Sequence, residues 1–211
     1  MTRIDEQARA LASYVQALPD FAMLPPPPEP AYRHMGATLS DAVLWAGTIH
    51  DTVVRPRVER LRRLYPEAVT TAAFLQVLDR VGPGDLLRWR RRQRPRRLLE
   101  LTRFLCREGV ETEEDLAGWL QARRNVQRLK QFRGIGDKTA DYLKILCGLS
   151  TVVVDRQLVA FLRLAGIRVE SDERARAIVH AAAGLLAVDR AAFDHSLWLY
   201  ISRRRTKRCL A

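Results

Sequence analysis

The chain has 211 residues, with 36 Lys and Arg against 24 Asp and Glu, a net charge of +12 and 7% aromatic residues. That length allows one large or two small domains around a substantial core, and the basicity favours a polyanionic partner. No apolar run approaches the roughly 18 residues of a membrane span, and the charged opening stretch leaves no room for a signal-peptide core, so a soluble intracellular protein is expected. Cys106, Cys147 and Cys209 are too widely spaced for a disulfide framework or a zinc site, and are expected to be free thiols.

Ile4, Ala8, Leu11, Val15 and Leu18 recur at helical spacing, so the chain opens with an amphipathic helix. Pro25 to Pro30 break it with a stiff connector. From Thr38 the pattern is almost wholly helical, punctuated at Pro56, Tyr65-Pro66, Gly82-Pro83-Gly84, Gly109, Gly134 to Gly136 and Gly148. Thr38-x-x-Asp41 and Thr112-x-x-Asp115 approximate capping boxes, with Asp for the usual Glu. The periodicity predicts about ten helices and no hairpin strands, an all-α fold.

Arg88 to Arg97 contains seven arginines around Trp89 and Pro95, and opens a helix whose apolar side is Leu98, Leu101 and Leu105. A solvated face is the simple reading. Phosphate contact is the other, since guanidinium bonds phosphate bidentately and basic side chains release condensed counterions on binding. The tail from Arg203 to Arg208 is similar.

Two apolar-periodic segments, Val126 to Phe132 and Lys138 to Cys147, flank Gly134-Ile135-Gly136 and read as helix, tight hairpin and helix. The glycines suit positive φ or close backbone approach, and the free N–H groups opening the second helix suit an anion such as a DNA phosphate. The β-branched run Thr151 to Val154 is extended, and Asp155 stands just before a third helix that stops at Gly166. Taken singly, Lys138 is most simply a solvated lysine and Asp155 an N-cap.

Together these residues resemble the helix-hairpin-helix DNA glycosylases, the endonuclease III superfamily, in which a GxGxK(T)A hairpin is followed by VD at about this spacing. The resemblance covers roughly residues 37–205. It implies that Lys138 is the nucleophile of those members that also cut the backbone, that Asp155 is the essential carboxylate, and that Gly134, Ile135, Gly136 and Thr139 hold the DNA backbone. Arg133 stands where the family usually has proline. Leu44 to Pro66 looks like the family's early helix and loop, but Gly47-Thr48-Ile49-His50-Asp51 replaces a glutamine-bearing segment, which makes Thr48, Ile49 and His50 candidates for base pocket or wedge. The alternative puts Ile49 in the core and makes Asp51 a local cap. Phe193 to Tyr200 resembles the last helix beside the active site, adding Asp194 and Trp198 to the candidates and leaving His195 structural.

The four-cysteine loop that follows in endonuclease III is missing, and Val154-Asp155-Arg156-Gln157-Leu158 is similar to wording in the short second class of 8-oxoguanine DNA glycosylase/lyases. No iron-sulfur cluster, other metal or cofactor is therefore expected, although hairpin carbonyls in the family can hold a monovalent cation. The implied architecture is all-α with two helical subdomains and the hairpin at the cleft between them. Residues 1–36 would pack with residues 151–211, and residues 37–150 would form the bundle ending in the hairpin.

The implied activity is that of a bifunctional DNA glycosylase/AP lyase of base excision repair, a monomer in the cytoplasm or on a nucleoid, with duplex DNA bearing a damaged base as partner. A flipped nucleotide would be held in a pocket, Asp155 would stabilise positive charge developing on the sugar, and Lys138, deprotonated by partial burial or a neighbouring cation, would attack C1′. A Schiff base and β-elimination follow. The leading substrate is 8-oxoguanine. Its rivals are an oxidised pyrimidine or another modified base, and a non-enzymatic helix-hairpin-helix DNA-binding module that would need the glycines but not Lys138 with Asp155.

Overall fold

The computed structural model describes residues 2–25, 31–149, 151–154 and 156–209, with side chains described as far as Ile201. The chain divides into two units, Pro28–Leu149 and Met1–Pro27 with Ser150–Ala211. Among the described residues all regular structure is helical, with twelve α-helices. None is long and apolar enough to cross a membrane.

The contiguous unit holds α2 (Met35–Trp45), α3 (Arg55–Leu64), α4 (Thr71–Val81), α5 (Pro83–Leu87), α6 (Gln93–Arg107), α7 (Glu113–Gln121), α8 (Arg123–Leu129) and α9 (Asp137–Leu146). Two breaks make the helices more numerous than the periodicity predicts. Gly82 turns the chain at φ +84, where Pro83 restarts it as α5, and Ala122 is extended between α7 and α8.

Every residue from Met35 to Leu44 is buried, so α2 is the axis of this unit and packs against α3, α4, α6 and α9. Gly36 permits one of these contacts, since a Cβ there would stand 2.7 Å from the Phe74 ring. A helix buried on all sides must satisfy its polar groups internally. The box expected at Thr38-x-x-Asp41 is not one. The helix begins earlier, capped by His34, whose Nδ1 accepts from the Ala37 N–H at 3.1 Å. Thr38 instead donates to the Glu113 carboxylate, which also accepts from the backbone N–H groups of Arg33 and His34 at 2.8 and 3.1 Å. At α7 the box forms as expected, between Thr112 and Asp115.

The other unit is built from α1 (Arg3–Gln16), α10 (Arg156–Leu164), α11 (Asp172–Leu185) and α12 (Arg190–Cys209). The buried stripe Ala8, Leu11, Ala12 and Val15 lays α1 along α11, whose buried face is Ala175, Ile178, Val179, Ala182 and Ala183. Phe161 anchors the centre, edge-on to Tyr14 and Tyr200 with ring centroids 5.6 and 5.9 Å apart. Val152 and Val154 are buried in this core.

Candidate nucleic-acid interface and base-contact cluster

The hairpin between α8 and α9 is set by two features. Gly134 takes φ +86, which only glycine adopts without strain, and the Ile135 N–H closes the turn on the Phe132 carbonyl at 2.9 Å. Ile135 is 2% exposed and belongs to the core of its unit, so its side chain pins the hairpin while its backbone stays at the surface. Gly136 is the N-cap of α9 and offers no side-chain cap, which leaves the first N–H groups of α9 for an outside acceptor. Asp137 opens the helix paired with Lys130 at 2.7 Å, so its charge is largely neutralised beside that anion site.

Lys138 is the second residue of α9 and is exposed, with no ion pair among the described residues. The burial expected to lower its pKa is not found, because α9 turns inward only from Thr139 and Ala140 onward. Thr139 is 4% exposed, so only its backbone N–H is placed for a phosphate. Asp155 lies outside the described residues. The segment leading to it is held, for the Val153 N–H donates to the buried Asp194 carboxylate at 3.0 Å. Trp198, half-buried on the same helix as Asp194, lies 6.2 Å from the His195 ring.

Four residues on from Lys138, on the same face of α9 and about 6 Å along its axis, stands Tyr142. Tyr142 stacks on Trp45, with centroids 4.5 Å apart and planes 19° apart. Its hydroxyl donates at 3.0 Å to Oδ1 of Asp41, which is completely buried. Oδ2 of the same carboxylate accepts from the Tyr32 hydroxyl and lies 3.2 Å from Nε2 of His50. Burial first, and the Asp41 charge second, push both tyrosine hydroxyls above their ordinary range, so both remain donors. The hydrogen bond to Asp41 outweighs burial and holds His50 above the ordinary imidazole value.

His50 opens a single π-helical turn, His50–Val54, between α2 and α3. Of the loop candidates, Thr48 spends its hydroxyl on the Leu44 and Trp45 carbonyls and ends α2 locally. Ile49 is 68% exposed, so the core alternative fails and an apolar side chain projects into solvent. The residues that the sequence pattern did not single out are Tyr32, Asp41, Trp45 and Tyr142.

Arg97 on α6 donates from Nε to the Arg133 carbonyl at 2.7 Å, and its guanidinium fills the space beside bare Gly134.

The family described as Domain of unknown function (DUF8548) matches residues 10–202. The chain belongs to this family. No curated protein matches it. Among solved structures it is similar to the H. pylori 3-methyladenine DNA glycosylase MagIII bound to 1,N6-ethenoadenine, with a TM-score of 0.59 and 17% identity over 97% of this chain and 99% of that one. The likeness establishes the fold, an all-α architecture that the two chains share.

Proposed function

We propose that this chain is a DNA glycosylase of base excision repair that also nicks the abasic strand. The observation that carries the reading is Lys138, exposed in the first turn of α9 directly behind the Gly134 to Gly136 hairpin, on a fold shared with a DNA glycosylase. Backbone N–H groups of the hairpin and α9 bind phosphates flanking the lesion without reading sequence. The flipped base is received beside Trp45 and Tyr142, whose stack supplies an aromatic face and whose neighbours Tyr32 and His50 supply polar tips. Asp155 stabilises the oxocarbenium character that develops as the N-glycosidic bond breaks. Nζ of Lys138, deprotonated, then bonds to C1′ as the base departs with the bonding electrons, giving a Schiff base that β-elimination resolves. The wording of Val154 to Leu158 makes 8-oxoguanine the leading substrate.

A second reading has its own observation. A buried carboxylate beneath two stacked aromatic rings suits an electron-poor or cationic purine, such as the 3-methyladenine named for the structural neighbour. In that reading hydrolysis is monofunctional and Lys138 contacts phosphate.

Borohydride trapping on duplexes carrying 8-oxoguanine, an oxidised pyrimidine, 3-methyladenine, 1,N6-ethenoadenine or an abasic site separates them. The expected result is a covalent adduct formed by the wild type and lost in Lys138→Gln, with duplex binding retained. Base release without any adduct favours the monofunctional reading. Neither release nor adduct leaves a DNA-binding module and overturns the enzyme assignment.

A further inference from the structure

Two guanidinium groups, of Arg97 and Arg133, stand at the hairpin with no ion pair among the described residues, and the charge of Arg97 acts on Arg94 beside them. Arg97 uses Nε on the Arg133 carbonyl, and a Cβ at residue 134 would stand only 1.7 Å from its terminal nitrogen. The φ of +86 is what requires glycine here, and the Arg97 guanidinium occupies the space that its missing Cβ leaves open. Burial and the Arg133 charge both depress the pKa of Arg97, and burial and Arg97 do the same to Arg94. Arg94 in turn lies 4.4 Å over the Trp89 ring and donates to the Ala46 carbonyl, and its Nη1 is buried with no hydrogen-bond partner. The contrast within one helix is sharp. Arg96 pairs with Glu100 at 2.7 Å, whereas no ion pair to Arg94, Arg97 or Arg133 occurs among the described residues. A cluster of like charges that is partly desolvated and held in place costs folding energy unless an anion completes it.

We propose that Arg97, seated on the Arg133 carbonyl, is the built-in cation of this hairpin, so that the chain grips a DNA backbone phosphate with Arg97 and Arg133 and needs no monovalent metal ion there. The proposal rests on the DNA reading above. With Nε committed to the carbonyl, the two terminal nitrogens of Arg97 remain as a fork for phosphate oxygens. A metal ion would compete for the same carbonyl lone pairs and meet the guanidinium charge at contact distance.

The test is fluorescence anisotropy of a labelled duplex carrying a stable abasic analogue, measured from about 50 to 200 mM salt, where affinity reports the number of phosphates neutralised. Wild-type affinity is expected to be equal in potassium, sodium and tetramethylammonium chloride at matched concentration. Arg97→Ala is expected to bind about tenfold more weakly in tetramethylammonium, with a log–log salt slope shallower by about one, and to recover part of that loss in sodium or potassium once the carbonyl is vacant. Wild-type binding that requires a small cation overturns the proposal without any variant. Wild-type binding matched by Arg97→Ala in every salt overturns the clamp alone. No binding by the wild type to any duplex overturns the clamp together with the DNA reading beneath it.

Discussion

Replacing Asp41 by Asn tests whether the Tyr32, His50 and Tyr142 cluster is held by a carboxylate. Asp41 is fully buried and accepts from Tyr142 at Oδ1 and from Tyr32 and His50 at Oδ2. Asn keeps one oxygen, so the Tyr142 bond survives as a weaker, neutral one. Its amide nitrogen must face the Tyr32 hydroxyl, which can rotate to accept, and the imidazole, which is left with a donor before it. Hydrogen bonds to a charged group are worth about 1.5–3 kcal/mol each. Two are weakened and one is lost, and the His50 share is discounted because 29% of that side chain remains exposed. The expected cost is about 2–4 kcal/mol.

The sign of the pH dependence follows from His50. Its folded pKa is raised, so its contribution is complete below the unfolded imidazole value of about 6.5 and disappears as pH rises through the folded value. Urea unfolding of wild type and Asp41→Asn, followed by both fluorescence and circular dichroism because the chain has two units, should show the largest gap near pH 5.5 and a narrower one above His50's raised value. Equal midpoints in acid, or a gap that widens with pH, would refute the reasoning.

Two further substitutions probe how α2 is held. Gly36→Ala would place a methyl group 2.7 Å from the Phe74 ring and 3.2 Å from Ala68, an overpacking expected to cost about 1–3 kcal/mol and visible as a lower Tm. Glu113→Gln leaves the His34 and Arg33 N–H groups with a single neutral oxygen to share and sets an amide nitrogen against the rest, so a loss of about 1–3 kcal/mol in chemical denaturation is expected. A loss below a few tenths would show that these backbone groups find water instead.

Much of the architecture was legible because helices here carry long apolar stripes with explicit ends. Ala8, Leu11 and Val15 recur at helical spacing, and Gly134 and Gly166 stand where the chain must take positive φ. The hairpin follows from the same local grammar, whereas the partial burial expected of Lys138 does not occur. The cluster around Asp41 does not follow from that grammar. Trp45 and Tyr142 look like ordinary members of apolar stripes, and Asp41 stands three residues after Thr38, where a capping acid would stand. Nothing local announces that Tyr142, 101 positions away, donates to it. Arg97 was equally hidden among seven arginines. Only the packing of α6 against the hairpin separates the one on the Arg133 carbonyl from Arg96, which a near neighbour neutralises.

The way α1 is completed has a consequence for synthesis. Gln7 and Arg174, joined by a hydrogen bond at 3.0 Å, are 167 positions apart, with the whole contiguous unit between them. At translation rates of about 5–20 residues per second, roughly 8–30 s separate the making of the two. During that interval the Leu11 and Val15 face of α1 has no α11 to cover it, while the helices around α2 already have every partner they need. The nascent chain thus completes the unit around α2 before the unit that α1 belongs to, and α1 waits through that whole interval for the helix that shelters it from water.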